Sequence, residues 1–310
     1  MRHLLSLAEL STRDIQDIFR VAARIKARPA RYASVLRGKT VAMIFQKPST
    51  RTRVSFETGI YQMGGNSLYL APNDLQLGRG ETVGDTARVL SRFVDSMVAR
   101  VYAQEDVEEM ARCGSVPVIN GLSDRFHPCQ AIADYFTLLE KKRDLRGLKL
   151  AYVGDGNNVA NSLIEGAAKL GAYFSIACPD GYEPDPEVIK EARKAARKTK
   201  ARIEVVRKPS QAVRGADAVY TDVWTSMGQE AEEQKRRLIF QEYQVSTPLF
   251  HQAKSDAVFM HCLPAHRGDE VAAEVMDSSG SIVFDQAENR LHTQKAMLFW
   301  LLSQPGSDGA

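Results

Sequence analysis

From about residue 40 onward, short apolar runs bounded by turn residues alternate with stretches whose apolar positions recur at helical spacing. Strand-length apolar runs separated by segments long enough to form crossover helices are the pattern of parallel sheets, so the chain is expected to be an α/β protein of mainly parallel sheets flanked by helices. The candidate strands of the first half are residues 40–45, 67–70, 96–101 and 116–120. Ahead of them, Ser11 and Asp14 have the spacing of a capping box, and Ile15, Ile18, Phe19, Ala22 and Ile25 form one apolar stripe, which predicts an N-terminal helix.

A charged, turn-like stretch at residues 141–147 interrupts the alternation, and a new strand is expected at 149–154. Further strands are expected at 173–177, 202–206, 218–223, 258–262 and 281–284, followed by a helix over about 287–302. The predicted organisation is a domain over 1–142, a second over 148–286, and a C-terminal helix and tail over 287–310 whose helix packs back on the first domain. A chain of 310 residues is long enough for two such cores.

Arg2, Glu9, Arg13, Asp14 and Asp17 break up the opening 25 residues, so neither a signal peptide nor a membrane span is expected, and the predicted location is cytoplasmic. The 41 basic and 38 acidic residues nearly balance, which argues against a nucleic-acid surface. The basic run at 190–202 has the spacing of a solvated helix face. Cys113, Cys129, Cys178 and Cys262 lie far apart with no C-x-x-C pair, so neither a disulfide framework nor a zinc ribbon is suggested.

The most informative segment is Phe45-Gln46-Lys47-Pro48-Ser49-Thr50-Arg51-Thr52-Arg53, which follows a candidate strand and opens a helical pattern. Hydroxyls of Ser49, Thr50 and Thr52, the Arg51 guanidinium and free main-chain N–H groups converge at a helix N-terminus, where an anion is favoured. The plainer reading is an ordinary helix start with Ser49 or Thr50 as cap, but positive charge in a first turn opposes the helix dipole. The S-T-R-T-R string resembles the carbamoyl phosphate motif of the aspartate and ornithine carbamoyltransferase family, and the resemblance continues along nearly the whole chain. His127-Pro128-Cys129-Gln130 resembles that family's H-P-x-Q motif, in which histidine and glutamine hold the carbamoyl group. Arg100, at the end of a candidate strand, matches the family arginine that contacts the carbonyl oxygen, a placement that suits sites at the carboxyl ends of strands.

Asp222-Val223-Trp224-Thr225-Ser226-Met227-Gly228 resembles the D-x-x-x-S-M-G loop with which the ornithine-using members bind their amino acid, and His261-Cys262-Leu263-Pro264 resembles their H-C-L-P motif. The resemblance further implies that Cys262 and Leu263 bind the carbamoyl nitrogen, largely through main-chain carbonyls. It implies that Arg290 completes that pocket, that Asn158 contacts ornithine, and that Gln76, in the long loop 74–81, reaches a neighbouring subunit's carbamoyl phosphate. The implied substrates are therefore carbamoyl phosphate and L-ornithine, with no cofactor, no metal, no nucleic acid and no membrane, in a homotrimer or a multiple of trimers. Arg100, His127, Cys262 and Asp222 are the catalytic candidates; Ser49, Thr50, Arg51, Thr52, Gln76, Pro128, Cys129, Gln130, Leu263 and Arg290 bind carbamoyl phosphate, and Asn158, Asp222, Ser226 and Met227 bind ornithine.

Three competing readings remain in view. His261, Cys262 and His266 resemble metal ligands, but no further ligand has suitable spacing. Gly154-Asp155-Gly156 follows a strand and opens a helix, with Asp180 downstream, as in dinucleotide-binding turns; Val159 occupies the third glycine position. A carbamoyltransferase for another amine, such as putrescine, is the third, and the S-M-G string argues against it.

Overall fold

The computed structural model describes residues 1–75, 80–225 and 232–303 of the chain. The chain divides into two compact units, one of residues 1–133 and 288–310 and the other of residues 134–287.

In the first unit α1 (Thr12–Ala27) is capped as its sequence predicts: Ser11 accepts from the Asp14 N–H while Asp14 accepts from the Ser11 N–H. Its buried face is the predicted stripe of Ile15, Ile18, Phe19, Ala22 and Ile25. The elements then alternate as β1 (Thr40–Phe45), α2 (Thr50–Gln62), β2 (Asn66–Leu70), α3 (Val83–Leu90), β3 (Ser96–Arg100), α4 (Gln104–Cys113), β4 (Val118–Leu122) and α5 (Pro128–Lys142). The four strands form a parallel sheet in the order β2-β1-β3-β4. Because the order reverses between β1 and β3, their following loops diverge to opposite faces and leave a crevice at the carboxyl ends of the strands. Between β3 and β4 the register slips after Ala99, from Ala99 opposite Asn120 to Arg100 opposite Leu122. An irregularity of this kind re-aims a side chain, here that of Arg100.

The second unit continues with β5 (Lys149–Val153), α6 (Asn158–Leu170), β6 (Tyr173–Ala177), α7 (Pro186–Thr199), β7 (Arg202–Val206), α8 (Pro209–Val213), β8 (Ala218–Thr221), α9 (Glu233–Phe240), α10 (Thr247–Phe250), β9 (Val258–His261), α11 (Ala273–Met276) and the start of α12 (Val283–Leu302), whose residues from Glu288 onward belong to the first unit. Its strands form a parallel sheet in the order β7-β6-β5-β8-β9, with the reversal between β5 and β8. Ala151, Val153, Val219 and Phe259 pack on one side of it against Val245, Val271 and Val275. The α/β expectation holds in both units. The basic run is the outer face of α7, whose buried residues are Val188, Ala192 and Ala196 and whose exposed lysines pair with Glu187 and Glu191.

One expected strand is corrected. Residues 281–284 form no strand: Ser281 makes a single parallel bridge with Phe259, and α12 begins at Val283, ahead of the expected 287. Ile282 and Val283 are buried but Phe284 is 72% exposed, so the apolar run is the start of a helix with one side chain in solvent. Among the described residues no helix is long and apolar enough to cross a membrane.

Candidate active site

Every predicted residue of the first unit that the structure describes lies at or just beyond the carboxyl ends of β1, β3 and β4, or on α5 and α12. Ser49 is the cap of α2, its hydroxyl accepting from the Thr52 N–H at 3.3 Å. The plain capping role is thus real, and the two arginines of the turn differ in their surroundings. Arg53 pairs with Glu57 and lies over the Tyr69 ring at 3.5 Å, whereas Arg51, at the second position of the helix, is exposed. Thr52 is buried and its hydroxyl accepts from Arg290 at 2.8 Å. A hydroxyl that accepts one bond keeps its own hydrogen for another acceptor. Arg290 also donates to the side-chain amide oxygen of Gln130, so α12, α5 and α2 are joined through one guanidinium.

Arg100, His127, Gln130 and Arg290 are all buried. His127 precedes Pro128, the first residue of α5, and its carbonyl accepts from the N–H groups of Gln130 and Ala131. Burial, together with the positive charges of Arg290, Arg100 and Lys47, holds its imidazole well below the usual histidine range. The ring is therefore neutral at neutral pH and offers an N–H whose strength does not vary with pH there. Cys129 is fully buried, its thiol directed to the Asn120 carbonyl oxygen at 3.4 Å and pushed up by burial to about 12, so it is no thiolate and its main chain is the part left for a ligand.

Lys47 belongs to this cluster, although the sequence reading passed over it. It is buried, its ammonium lies 4.9 Å from the centre of the Tyr102 ring, and burial followed by the charge of Arg100 lowers its pKa. Its only signal in the sequence was its position two residues ahead of Ser49. Three cations gathered near one another, with Asp124 as a counter-charge to Lys47, make a positive locus suited to an anion.

In the second unit the predicted residues lie beyond the carboxyl ends of β5, β8 and β9. Asp222, two-sidedly held, is the centre. One carboxylate oxygen accepts from the Cys262 thiol at 2.9 Å and from the Val223 N–H at 2.8 Å, and the other accepts from the Asn157 side chain at 2.8 Å. Asn157 also caps α6 by accepting from Val159 and Ala160, which places Asn158 at the first position of that helix. The sequence reading chose Asn158 and missed its neighbour, since either asparagine of the pair suits a helix start.

Leu263 has a φ of +61°, a region that a branched side chain rarely enters and that marks functional segments when the surroundings hold it. Here His261 holds it. Its Nδ1 accepts from the Leu263 N–H at 2.8 Å, and its Nε2 lies 3.3 Å from the buried carboxylate of Glu270. Asp222, His261 and Cys262 bring possible ligand atoms within 4.8 Å of one another. Both His261 nitrogens face protein partners, however, and the Cys262 thiol donates to Asp222, so these atoms are already engaged. His266 is turned to Glu270, its Nδ1 at 3.6 Å.

The dinucleotide reading fails on the same loop. A Cβ on Gly156 would lie 2.1 Å from the Pro184 nitrogen, so that glycine is required by a protein neighbour, and Asp180 pairs with Arg207 at 2.7 Å. Gln76, Ser226 and Met227 lie outside the described residues.

Two parallel sheets, one edged by a cationic cluster and the other by a fixed carboxylate, define a two-unit α/β enzyme. Residues 2–140 match the aspartate/ornithine carbamoyltransferase carbamoyl-P binding domain, and residues 146–301 match the aspartate/ornithine carbamoyltransferase Asp/Orn binding domain. The chain belongs to the aspartate/ornithine carbamoyltransferase family. It is 58% identical over 302 residues to the ornithine carbamoyltransferase of Thermococcus kodakarensis, a match that covers 96% of this chain and 95% of that protein. The anabolic ornithine carbamoyltransferase of Pyrococcus furiosus is 56% identical over 302 residues, covering 96% and 95%. The solved ornithine carbamoyltransferase structure from Pyrococcus furiosus superposes with a TM-score of 0.94 at 55% identity and covers 97% of each chain.

Proposed function

We propose that the chain transfers the carbamoyl group of carbamoyl phosphate to the side-chain amine of L-ornithine, forming L-citrulline and phosphate, as an anabolic step of arginine metabolism. The single observation that carries this reading is the pair of complementary sites: buried Arg100, Arg290 and Lys47 around a neutral His127 in one unit, and a clamped Asp222 in the other. The first suits a phosphate-bearing carbonyl compound, and the second suits the α-ammonium of an amino acid.

In this reading the phosphate lies on the hydroxyls and N–H groups of residues 49–52, with Arg51 as its exposed charge partner. Thr52, Arg100 and His127 donate to the carbonyl oxygen. The neutral amine attacks the carbonyl carbon, negative charge grows on that oxygen, the bond to the phosphate oxygen breaks, and the proton given up by the attacking nitrogen is taken up by the released phosphate. Donors fixed before the reaction stabilise that charge without reorganising, and loss of one typically costs about 10² to 10³ in rate. Gln130, held by Arg290, orients the carbamoyl group. The same reading includes a cytoplasmic homotrimer, or a multiple of trimers, supported by family membership; a measured mass of one chain at working concentration would remove that part of it.

The direct test is citrulline formation from carbamoyl phosphate and L-ornithine by the purified chain; no product above background would end the proposal. A second expectation concerns Arg51. It is exposed and on the first turn of α2, so Arg51→Ala should leave the thermal midpoint unchanged. Loss of a charge-assisted phosphate contact of about 3 kcal/mol should lower kcat/KM for carbamoyl phosphate by about 10²-fold. Unchanged kinetics in the folded variant would remove Arg51 from the site.

A further inference from the structure

The turn after β5 that imitated a nucleotide motif carries a buried acid with a different partner. Asp155 pairs with Arg236 of α9, the two side chains being 11% and 4% exposed. The Arg236 Nε donates to the Trp224 carbonyl oxygen at 2.5 Å. Its guanidinium lies over the rings of Tyr182 at 4.8 Å and Phe240 at 5.3 Å, and Trp224 stacks on that same Phe240. One residue beyond Asp155, the Gly156 N–H donates to the Tyr182 carbonyl, and two residues beyond it Asn157 holds Asp222. Asp222 thus sits between two tethers to one turn: its carboxylate is tied through Asn157, and the main chain two residues downstream is tied through Arg236 and Asp155.

We propose that Asp155 and Arg236 are positioning residues for the acceptor amine, their ion pair fixing the main chain at Trp224 and thereby the direction in which Asp222 presents its carboxylate. The proposal rests on Asp222 as the ornithine partner. A buried ion pair contributes little to stability against an apolar pair of similar volume, because desolvation offsets the attraction. Consistent with this, burial outweighs Arg236 and pushes Asp155 up to about 6. What the pair supplies is direction: through its planar guanidinium Arg236 joins the Trp224 carbonyl to the Asp155 carboxylate, which an apolar pair cannot do. The other ionisable groups facing Asp155 are Asp222 beyond β8, Tyr152 on β5 and Cys178 beyond β6.

The sign of the pH dependence follows from the raised value. Asp155 is charged above about pH 6 and takes up a proton below it, so the tether weakens on the acid side. The experiment compares the full-length wild type with Asp155→Asn, with the paired variant Asp155→Leu/Arg236→Met, and with Asp222→Asn. KM and kcat are measured for both substrates from pH 5 to pH 9, alongside thermal midpoints. The paired variant leaves no unpartnered buried charge and should melt within a few degrees of the wild type. Its KM for ornithine should rise at least about 10-fold while KM for carbamoyl phosphate stays within about twofold, and the rise in ornithine KM that the wild type shows below about pH 6 should vanish. Asp155→Asn should fall between them. Wild-type ornithine KM in the folded paired variant overturns the proposal, as does a parallel rise in both KM values with a large loss of midpoint, which would make the pair structural. If Asp222→Asn leaves ornithine KM unchanged, the acceptor-site reading itself falls and takes the proposal with it; a strong Asp222→Asn effect beside silent pair variants removes the tether alone.

Discussion

Putrescine is expected to be carbamoylated about 10⁴-fold less efficiently than L-ornithine, judged by kcat/KM under the same conditions. Both amines are common to the two acceptors, so the difference comes from the α-carboxylate of an amino acid that Asp222 holds by its α-ammonium. Asp222 is 6% exposed, and its hydrogen-bond partners are an amide, a thiol and a main-chain N–H, all neutral. A carboxylate in that position gains most from a cation on the ligand, and an amino acid's α-ammonium supplies one. Putrescine keeps both amines, so its second ammonium can still reach Asp222, but it lacks the α-carboxylate, and the polar groups that would bind that carboxylate are left without their partner. Sites built on such bonds reject the deficient analogue far more strongly than apolar pockets reject a missing methylene. Lysine keeps both α-groups and adds one methylene, which misplaces the nucleophile and should cost about 10²-fold. Aspartate carries a second carboxylate toward Asp222 and should give no product above background. Equal turnover of putrescine and ornithine would show that the α-carboxylate is not recognised and would overturn the preference for an amino acid, while leaving the cationic cluster of the first unit untouched.

What the sequence revealed and what it hid divide along the range of the interactions concerned. The α1 stripe, the Ser11 capping box and the alternation of strands and helices are set by neighbours a few residues apart, and the structure reproduces them. The run at 281–284 was misread because three apolar residues after Ser281 cannot distinguish a period of two from one of 3.6, and because Phe284 is apolar yet in solvent. The partners in the site lie further apart. Arg236 stands beside Arg237 in a basic stretch that reads as a solvated helix face; one of the two is 4% exposed and paired with Asp155, 81 positions away, and the other is 68% exposed and paired with Asp269. Nothing local distinguishes them. Glu270 is likewise an ordinary loop acid until β9 brings His261 to it. Asp155 was misleading for a physical reason: a glycine-rich strand-to-helix turn serves any close approach of main chain to a partner, and here the partners are residues 183 and 184.

The cationic cluster offers a separation of activity from stability. Arg100→Met should lower kcat/KM for carbamoyl phosphate by about 10³-fold, near the upper end for loss of one fixed donor to a developing oxyanion. It should nevertheless leave the thermal midpoint close to that of the wild type. Arg100 ends β3, where its main chain is fixed by the ladder and its carbonyl accepts from the Gln46 N–H at 2.8 Å. Methionine fills most of the space of the alkyl stem and has no charge to desolvate. The guanidinium itself is 4% exposed and near other positive charge: it contributes to the lowered pKa of both Lys47 and His127. Lys47 is charged in the unfolded chain at neutral pH and is penalised on burial beside Arg100, so removing that neighbour lifts part of the penalty. Phosphate bound at the cluster would offset the repulsion among these charges, so saturating phosphate should raise the midpoint of the wild type more than that of Arg100→Met. Equal phosphate stabilisation of the two proteins, or a variant whose midpoint and activity fall together, would mean that Arg100 supports the fold and not the bound anion.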